Sequence, residues 1–296
     1  MYLIDRVNEM REGHFIQRVY LVNEGKVTFV QNQFAHWNKR RMDMSGFTLE
    51  VGRVMSEHHT LDENTHNDQS HLIKKGCTTA VLFPQVAYES KIQDVYDTTK
   101  KKMYSSRVDY VIGLEIPLRL LRPSVLLACK KYKIPALKIE IKQGDKPADM
   151  AWMYIAQVQR EYRTVLLPYF SSGNESEIQE QRTAWKQAMS DYKISWHSFI
   201  KEGKPWPKEL LQKVGLYPIK GTLMVGSDLD YLLFSENQSQ LVDANDNLDY
   251  DYRHPCIVVL RGQIIKINEQ DGGKLGYGRL IDIKMPGRLL AMGIVY

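Results

Sequence analysis

The chain has 296 residues, 43% of them hydrophobic and 25% charged, with a formal net charge of +5; this is ordinary for a globular protein of one large or two small domains. Its basic residues are scattered apart from Lys39-Arg40-Arg41 and Lys100-Lys101-Lys102, which argues against the dense basic stripe of a nucleic-acid-binding surface. No apolar run approaches the roughly 18 residues of a membrane span, the start Met1-Tyr2-Leu3-Ile4-Asp5-Arg6 is unlike a signal peptide, and Cys77, Cys129 and Cys256 form no CxxC pair, so a cytoplasmic protein without disulfides or a zinc knuckle is expected.

Residues 1–52 read as strands. Phe15 to Val22 is rich in β-branched and aromatic residues, Asn23-Glu24-Gly25-Lys26 is a turn signal, and Val27-Thr28-Phe29-Val30 resumes the strand, which predicts a hairpin. The middle of the chain alternates short apolar strands with helical stretches. Val54-Met55-Ser56, Thr78 to Phe83, Val108 to Leu114, Ala136 to Ile141 and Thr164 to Leu167 are the strands; 91–104, 119–132 and 148–162 carry apolar residues at helical spacing. That alternation argues for a parallel sheet. Residues 174–213 read as helices. Strand character returns in Thr222 to Val225, Tyr231 to Phe234, Cys256 to Leu260 and Ile264 to Ile267. Neither end has enough strands to bury a core alone, and paired they make a small sandwich. Residues 53–215 fall short of the about 250 that a complete (β/α)₈ barrel takes and fit roughly five βα units.

Three local patterns point to one family. Met42-Asp43-Met44-Ser45-Gly46 leads to Gly52 and Glu57-His58-His59; Lys75-Gly76-Cys77-Thr78-Thr79 forms a second turn; and Gly215 to Asp230, through Tyr217-Pro218, Lys220-Gly221 and Gly226-Ser227-Asp228-Leu229-Asp230, opens the C-terminal half. Together these resemble the metal-dependent amidohydrolases, in the cyclic-amide branch of dihydropyrimidinases, hydantoinases and dihydroorotases. The resemblance implies an α/β fold with a β part: an incomplete or open amidohydrolase-type (β/α) barrel over 53–215, plus a composite β sandwich from 1–52 and 216–296. An opened barrel exposes a strand edge, for which 174–213 is the natural cover.

The resemblance also implies where a metal site belongs. Aligning Gly52 puts Glu57 at the position of the first histidine of a His-x-His pair and His59 at the second, with His58 pointing the other way. Lys138 is the candidate for the lysine whose carbamate bridges two metals; equally, Lys138, Glu140 and Lys142 alternate with apolar residues as in any half-polar strand. The histidines expected at the fifth and sixth strands and the aspartate at the eighth have no counterpart. His58, His59, His66 and His71 lie within 14 residues beside Glu57, Asp62, Glu63 and Asp68, a set that reads either as a polar loop or as ligands for one ion.

Other signals lead nowhere catalytic. GxSxG, Walker and GxGxxG motifs are absent, Gly272 to Gly278 reads as a surface loop, and Asp243 to Asp251 lacks the glycine and terminal glutamate of a calcium loop. Trp152, Tyr154 and Tyr162 are spaced as helix faces. The apolar tail 285–296 is expected to dock on the protein or on a second copy, so a homo-oligomer through that tail or an open sheet edge is the expected assembly. Two functions follow. One is an amidohydrolase-like pseudoenzyme with a structural, regulatory or binding role and no cofactor. The other is a metal-dependent hydrolase of non-peptide carbon–nitrogen bonds, with one zinc or manganese ion held by Glu57, His59 and loop histidines. No catalytic residue and no substrate is assigned.

Overall fold

The computed structural model describes residues 1–11, 13–34, 36–57, 69–235 and 254–283. His58, His59, His66, the acidic stretch 243–251 and the apolar tail 285–296 lie outside the described residues.

The N-terminal part is a run of strands: β1 (Tyr2–Arg11), β2 (His14–Asn23), β3 (Lys26–Gln31), β4 (Arg41–Asp43) and β5 (Phe47–Val51). The β2–β3 hairpin forms as its residues predict. Glu24 and Gly25 take positive φ of 50° and 71°, the twist that a tight hairpin turn needs. A side chain at Gly25 would strike the Arg261 carbonyl, so glycine is also required by close approach.

The middle part follows as β6 (Arg53–Glu57), α1 (Ser70–Lys74), β7 (Cys77–Leu82), α2 (Ile92–Lys102), β8 (Asp109–Ile112), β9 (Leu114–Pro117), α3 (Pro123–Tyr132), β10 (Ala136–Ile141), α4 (Trp152–Gln159), β11 (Val165–Phe170), α5 (Glu175–Tyr192) and α6 (Lys208–Lys213). Helix α3 starts with Pro123 at its first turn, where a missing N–H costs nothing. In α5 the Asn174 side chain accepts from the Glu177 N–H at 2.8 Å, an N-cap, and Glu175 and Glu177 complement the positive helix end. The parallel strands form two three-stranded sheets, β6-β7-β8 and β9-β10-β11.

The expected single strand from Val108 to Leu114 is broken at Gly113. A Cβ there would lie 2.6 Å from the Phe83 ring and 2.9 Å from the Ala136 carbonyl oxygen. Before the break, β8 pairs with β7; after it, β9 pairs with β10. The other side of β8 is taken by the C-terminal segment, where Tyr110 N–H donates to Arg279 O and Ile281 N–H to Tyr110 O, both at 2.9 Å.

Residues 174–213 are not all helical. Between α5 and α6 the chain is not helical, with a turn where Lys204 N–H donates to Lys201 O, and its two ends bond to two different outer strands. Leu166 N–H donates to Ser195 O and His197 N–H to Leu166 O, both at 3.0 Å, on β11; Gly203 N–H donates to Ser56 O at 3.2 Å and Trp206 N–H to Val54 O at 2.8 Å, on β6. One segment thus satisfies backbone groups on the outer strand of each sheet, the positions where an open sheet is exposed to wrong pairing.

The last strands are β12 (Tyr231–Ser235), β13 (Ile257–Leu260), β14 (Gln263–Ile267) and β15 (Gln270–Asp271). Thr222 to Val225, expected as a strand, is loop; Met224 and Ser227 there close a backbone turn at 2.9 Å. Strands from both chain ends lie in one nine-stranded sheet, ordered β15-β14-β13-β12-β5-β1-β2-β3 with β4 on β1. The two ends meet where β12 runs antiparallel to β5 from Tyr231↔Val51 to Ser235↔Phe47. The architecture is a mixed α/β fold with a substantial β part.

Candidate functional site

Alternation along β6 decides what each of its side chains faces. Val54 packs with Val81, Val111, Ala136, Val165 and Leu167 in a cluster between the parallel sheets. Met55 packs on the opposite side with Leu72 and Ile73 of α1 and with Ala80 and Leu82. Ser56 therefore shares the face of Val54, and its Oγ reaches the Ile200 carbonyl at 3.4 Å. Glu57 shares the face of Met55. It is buried, with Oε2 at 2.8 Å from His71 Nε2. The resemblance suggests that Glu57 looks into the mouth of a barrel; counted from Val54, it looks towards α1. Glu57 and His71 are thus brought together, and His59 and His66 lie outside the described residues. Among the described residues no group of three or more His, Cys, Asp or Glu side chains is placed to hold a metal ion.

Lys138 is elsewhere. It lies on β10, on the face of Ala136, nearly closed off from solvent. Its Nζ is 2.9 Å from Glu115 Oε2 and 3.9 Å from Glu202 Oε1. It also sits 4.8 Å from the ring centroids of Tyr169 and of Phe199, within cation–π range. Gln85 Nε2 donates to the other Glu115 oxygen at 3.3 Å. Phe199 belongs to the segment between α5 and α6, and it packs edge-on against Phe83 and Tyr169 at 6.4 and 5.6 Å. These surroundings suit a lysine cation. A carbamate bridging two metals is stabilised by the metals that it bridges, and among the described residues no group of His, Cys, Asp or Glu side chains fit to hold a metal stands beside Lys138.

A third cluster combines residues far apart in the chain. Lys220, 1% exposed, has its Nζ at 2.6 Å from Asp109, 2.9 Å from Asp228 and 2.7 Å from Asp230. Arg261 pairs with Asp109, and Arg279 reaches Asp228 at 2.7 Å. Three cations thus face three carboxylates. Burial alone would push the Lys220 ammonium down, but the carboxylates override it and raise it. Burial likewise pushes Asp228 up, and Lys220 with Arg279 brings it below the usual carboxylate range. At Asp230 burial wins and the carboxyl stays raised despite Lys220. The cluster ties β8 of the parallel sheets to the loop before β12, the β13–β14 turn and the segment on the side of β8. Lys220, Asp228 and Asp230 belong to the Gly215–Asp230 motif that carries part of the family resemblance; Asp109 carried no signal in a strand of ordinary composition.

No protein-family profile matches the chain. A stretch of 87 residues is 31% identical to the D-hydantoinase of Geobacillus stearothermophilus; it is 26% of this chain and spans only 18% of that protein. The structure superposes on the dihydropyrimidinase of Brevibacillus agri NCHU1002 with a TM-score of 0.69 at 12% identity, covering 97% of this chain and 99% of that one. For the D-hydantoinase (dihydropyrimidinase) of Thermus sp. the TM-score is 0.71, also at 12% identity, covering 96% and 99%. For the L-hydantoinase of Arthrobacter aurescens it is 0.54 at 14% identity, covering 94% and 99%. These likenesses show that the chain has the fold of the dihydropyrimidinases and D-hydantoinases.

Proposed function

We propose that this chain is an amidohydrolase-fold protein that has given up the binuclear hydrolytic site of its branch and serves as a binding or regulatory protein. The observation that carries the reading is the environment of Lys138, paired with Glu115 and covered by Tyr169 and Phe199. Fold likeness does not carry activity once a site is rebuilt. On this reading residues 1–52 and 216–296 form a composite β sandwich; the β5–β12 pairing supports its being built from both chain ends. Residues 53–215 form a truncated, open barrel, its outer strands covered by the segment between α5 and α6. The protein acts in the cytoplasm.

A second reading rests on the 2.8 Å contact of Glu57 with His71. These two side chains, with His59 and His66, are the donors for a single zinc or manganese ion in a hydrolase of cyclic amides. Metal analysis of the purified protein, with assays on dihydrouracil and hydantoin, separates the two. The first reading expects no stoichiometric metal and no hydrolysis. About one equivalent of zinc or manganese, lost in a His59→Ala variant, overturns it, because three protein ligands and a water suffice for a catalytic ion.

A further inference from the structure

A cavity of about 320 Å³ opens between the nine-stranded sheet and the beginning of β6. It lies at the N-terminal end of that strand, opposite to Glu57, so it owes nothing to either reading above. Met10, Val51, Val54, Trp206, Leu211 and Tyr217 supply apolar walls. The volume is at the low end of the range for small-ligand pockets, which favour seams of this kind between structural units.

The charges around it are arranged in an unusual way. Glu9 and Arg11 both line the cavity and stand two residues apart on β1, hence on one face and roughly 7 Å apart along the strand. They are not paired with each other. Glu9 is 2% exposed. Its Oε2 accepts from the Tyr20 hydroxyl at 2.7 Å and lies 3.7 Å from Arg18 Nε. Among the described residues no donor reaches its Oε1, and no carboxylate pairs with Arg11. The other charges in the wall are engaged: Arg53 is held by Glu50 at 3.2 Å and by the Lys75 carbonyl at 2.8 Å, and the Lys208 ammonium lies 5.9 Å from the centre of the Tyr217 ring. A buried carboxylate with an open oxygen is costly unless a donor completes it. The donor belongs at the Glu9 end, an acceptor belongs at the Arg11 end, and a hydrophobic body belongs between Trp206 and Leu211.

We propose that this cavity binds a free α-amino acid with an aromatic side chain, its ammonium on Glu9, its carboxylate on Arg11 and its ring against Trp206. A single amino acid fits the volume, and its two opposite charges on one carbon match a glutamate and an arginine that share a strand face. Neither an amine nor a carboxylic acid alone satisfies both ends.

The test is calorimetric titration of the full chain with L-phenylalanine, N-acetyl-L-phenylalanine and L-phenylalanine amide. The free amino acid is expected to bind about tenfold or more tighter than either blocked form, the loss expected for one charged hydrogen bond. In Glu9→Gln, phenylalanine and its N-acetyl form become equivalent while the amide remains weaker. In Arg11→Gln the amide and the free acid become equivalent instead. These ratios are read within each variant, so a change in its stability does not mimic the result. Val51→Trp, which fills the cavity and leaves both charges, abolishes binding. Equal binding of the three probes, absence of saturable phenylalanine binding in the low millimolar range, or unchanged binding in Val51→Trp overturns the proposal.

Discussion

Replacing Lys220 by methionine tests the reading of the buried charge cluster. The wild type sets Lys220, Arg261 and Arg279 against Asp109, Asp228 and Asp230. The variant leaves two guanidiniums against three carboxylates, all three of which are almost without solvent. Removing one partner of a buried ion pair costs about 3–5 kcal/mol, because the charge left behind is uncompensated. For a chain of this size that lowers the melting temperature by on the order of 10 °C. The penalty depends on pH with a definite sign. Asp230 is raised above its ordinary value of 3.8 even with Lys220 present, and losing the cation raises it further. Asp228 is lowered by Lys220 and Arg279, so its stabilisation is present above about pH 4 and fades as pH falls. Protonation on acidification removes the excess negative charge in the variant and weakens the wild-type attraction. The gap between the two proteins is therefore expected to narrow as pH is lowered from about 7 to 4. Calorimetric melts at several pH values measure it, and Lys220→Met with Asp230→Asn is expected to recover part of the loss. A melting temperature within 2 °C of wild type, or a gap that widens in acid, would refute the account.

Three further outcomes are expected. Gly113→Ala forces a methyl group to within 2.6 Å of Phe83 and 2.9 Å of the Ala136 carbonyl, and a destabilisation of about 1–3 kcal/mol is expected in urea melts. Asn174→Ala removes the acceptor for the Glu177 N–H and costs about 1 kcal/mol; a variant with an unchanged midpoint would show that the cap contributes nothing. Burial pushes the Cys77 and Cys129 thiols up to about 12, so at pH 8 neither reacts with a thiol reagent in the native protein, whereas Cys256, only partly buried, does. Fast labelling of more than one thiol per native chain would show that a buried cysteine is accessible.

Much of the chain could be read locally. The β2–β3 hairpin follows from β-branched residues around Asn23-Glu24-Gly25-Lys26, and β6, β7, β10 and β11 follow from short apolar runs between helical stretches. Helices α2, α3 and α4 follow from apolar spacing. In each case the signal is the conformational preference and periodicity of neighbouring residues, which a sequence displays directly. The pairing partners were not local. Whether Val108 to Leu114 is one strand or two depended on the Phe83 ring beside Gly113. Residues 195–206 carry no strand pattern, yet they bond to Leu166 at one end and to Val54 and Ser56 at the other, because those outer strands lacked backbone partners. The face of Glu57 was set by the burial of Val54 and Met55 on opposite sides of β6, and the environment of Lys138 by a phenylalanine 61 positions further along the chain. The composition of this chain settled which segments could be strand or helix. Burial then decided what each polar side chain faces, because a charge removed from water must find its partners wherever the fold brings them.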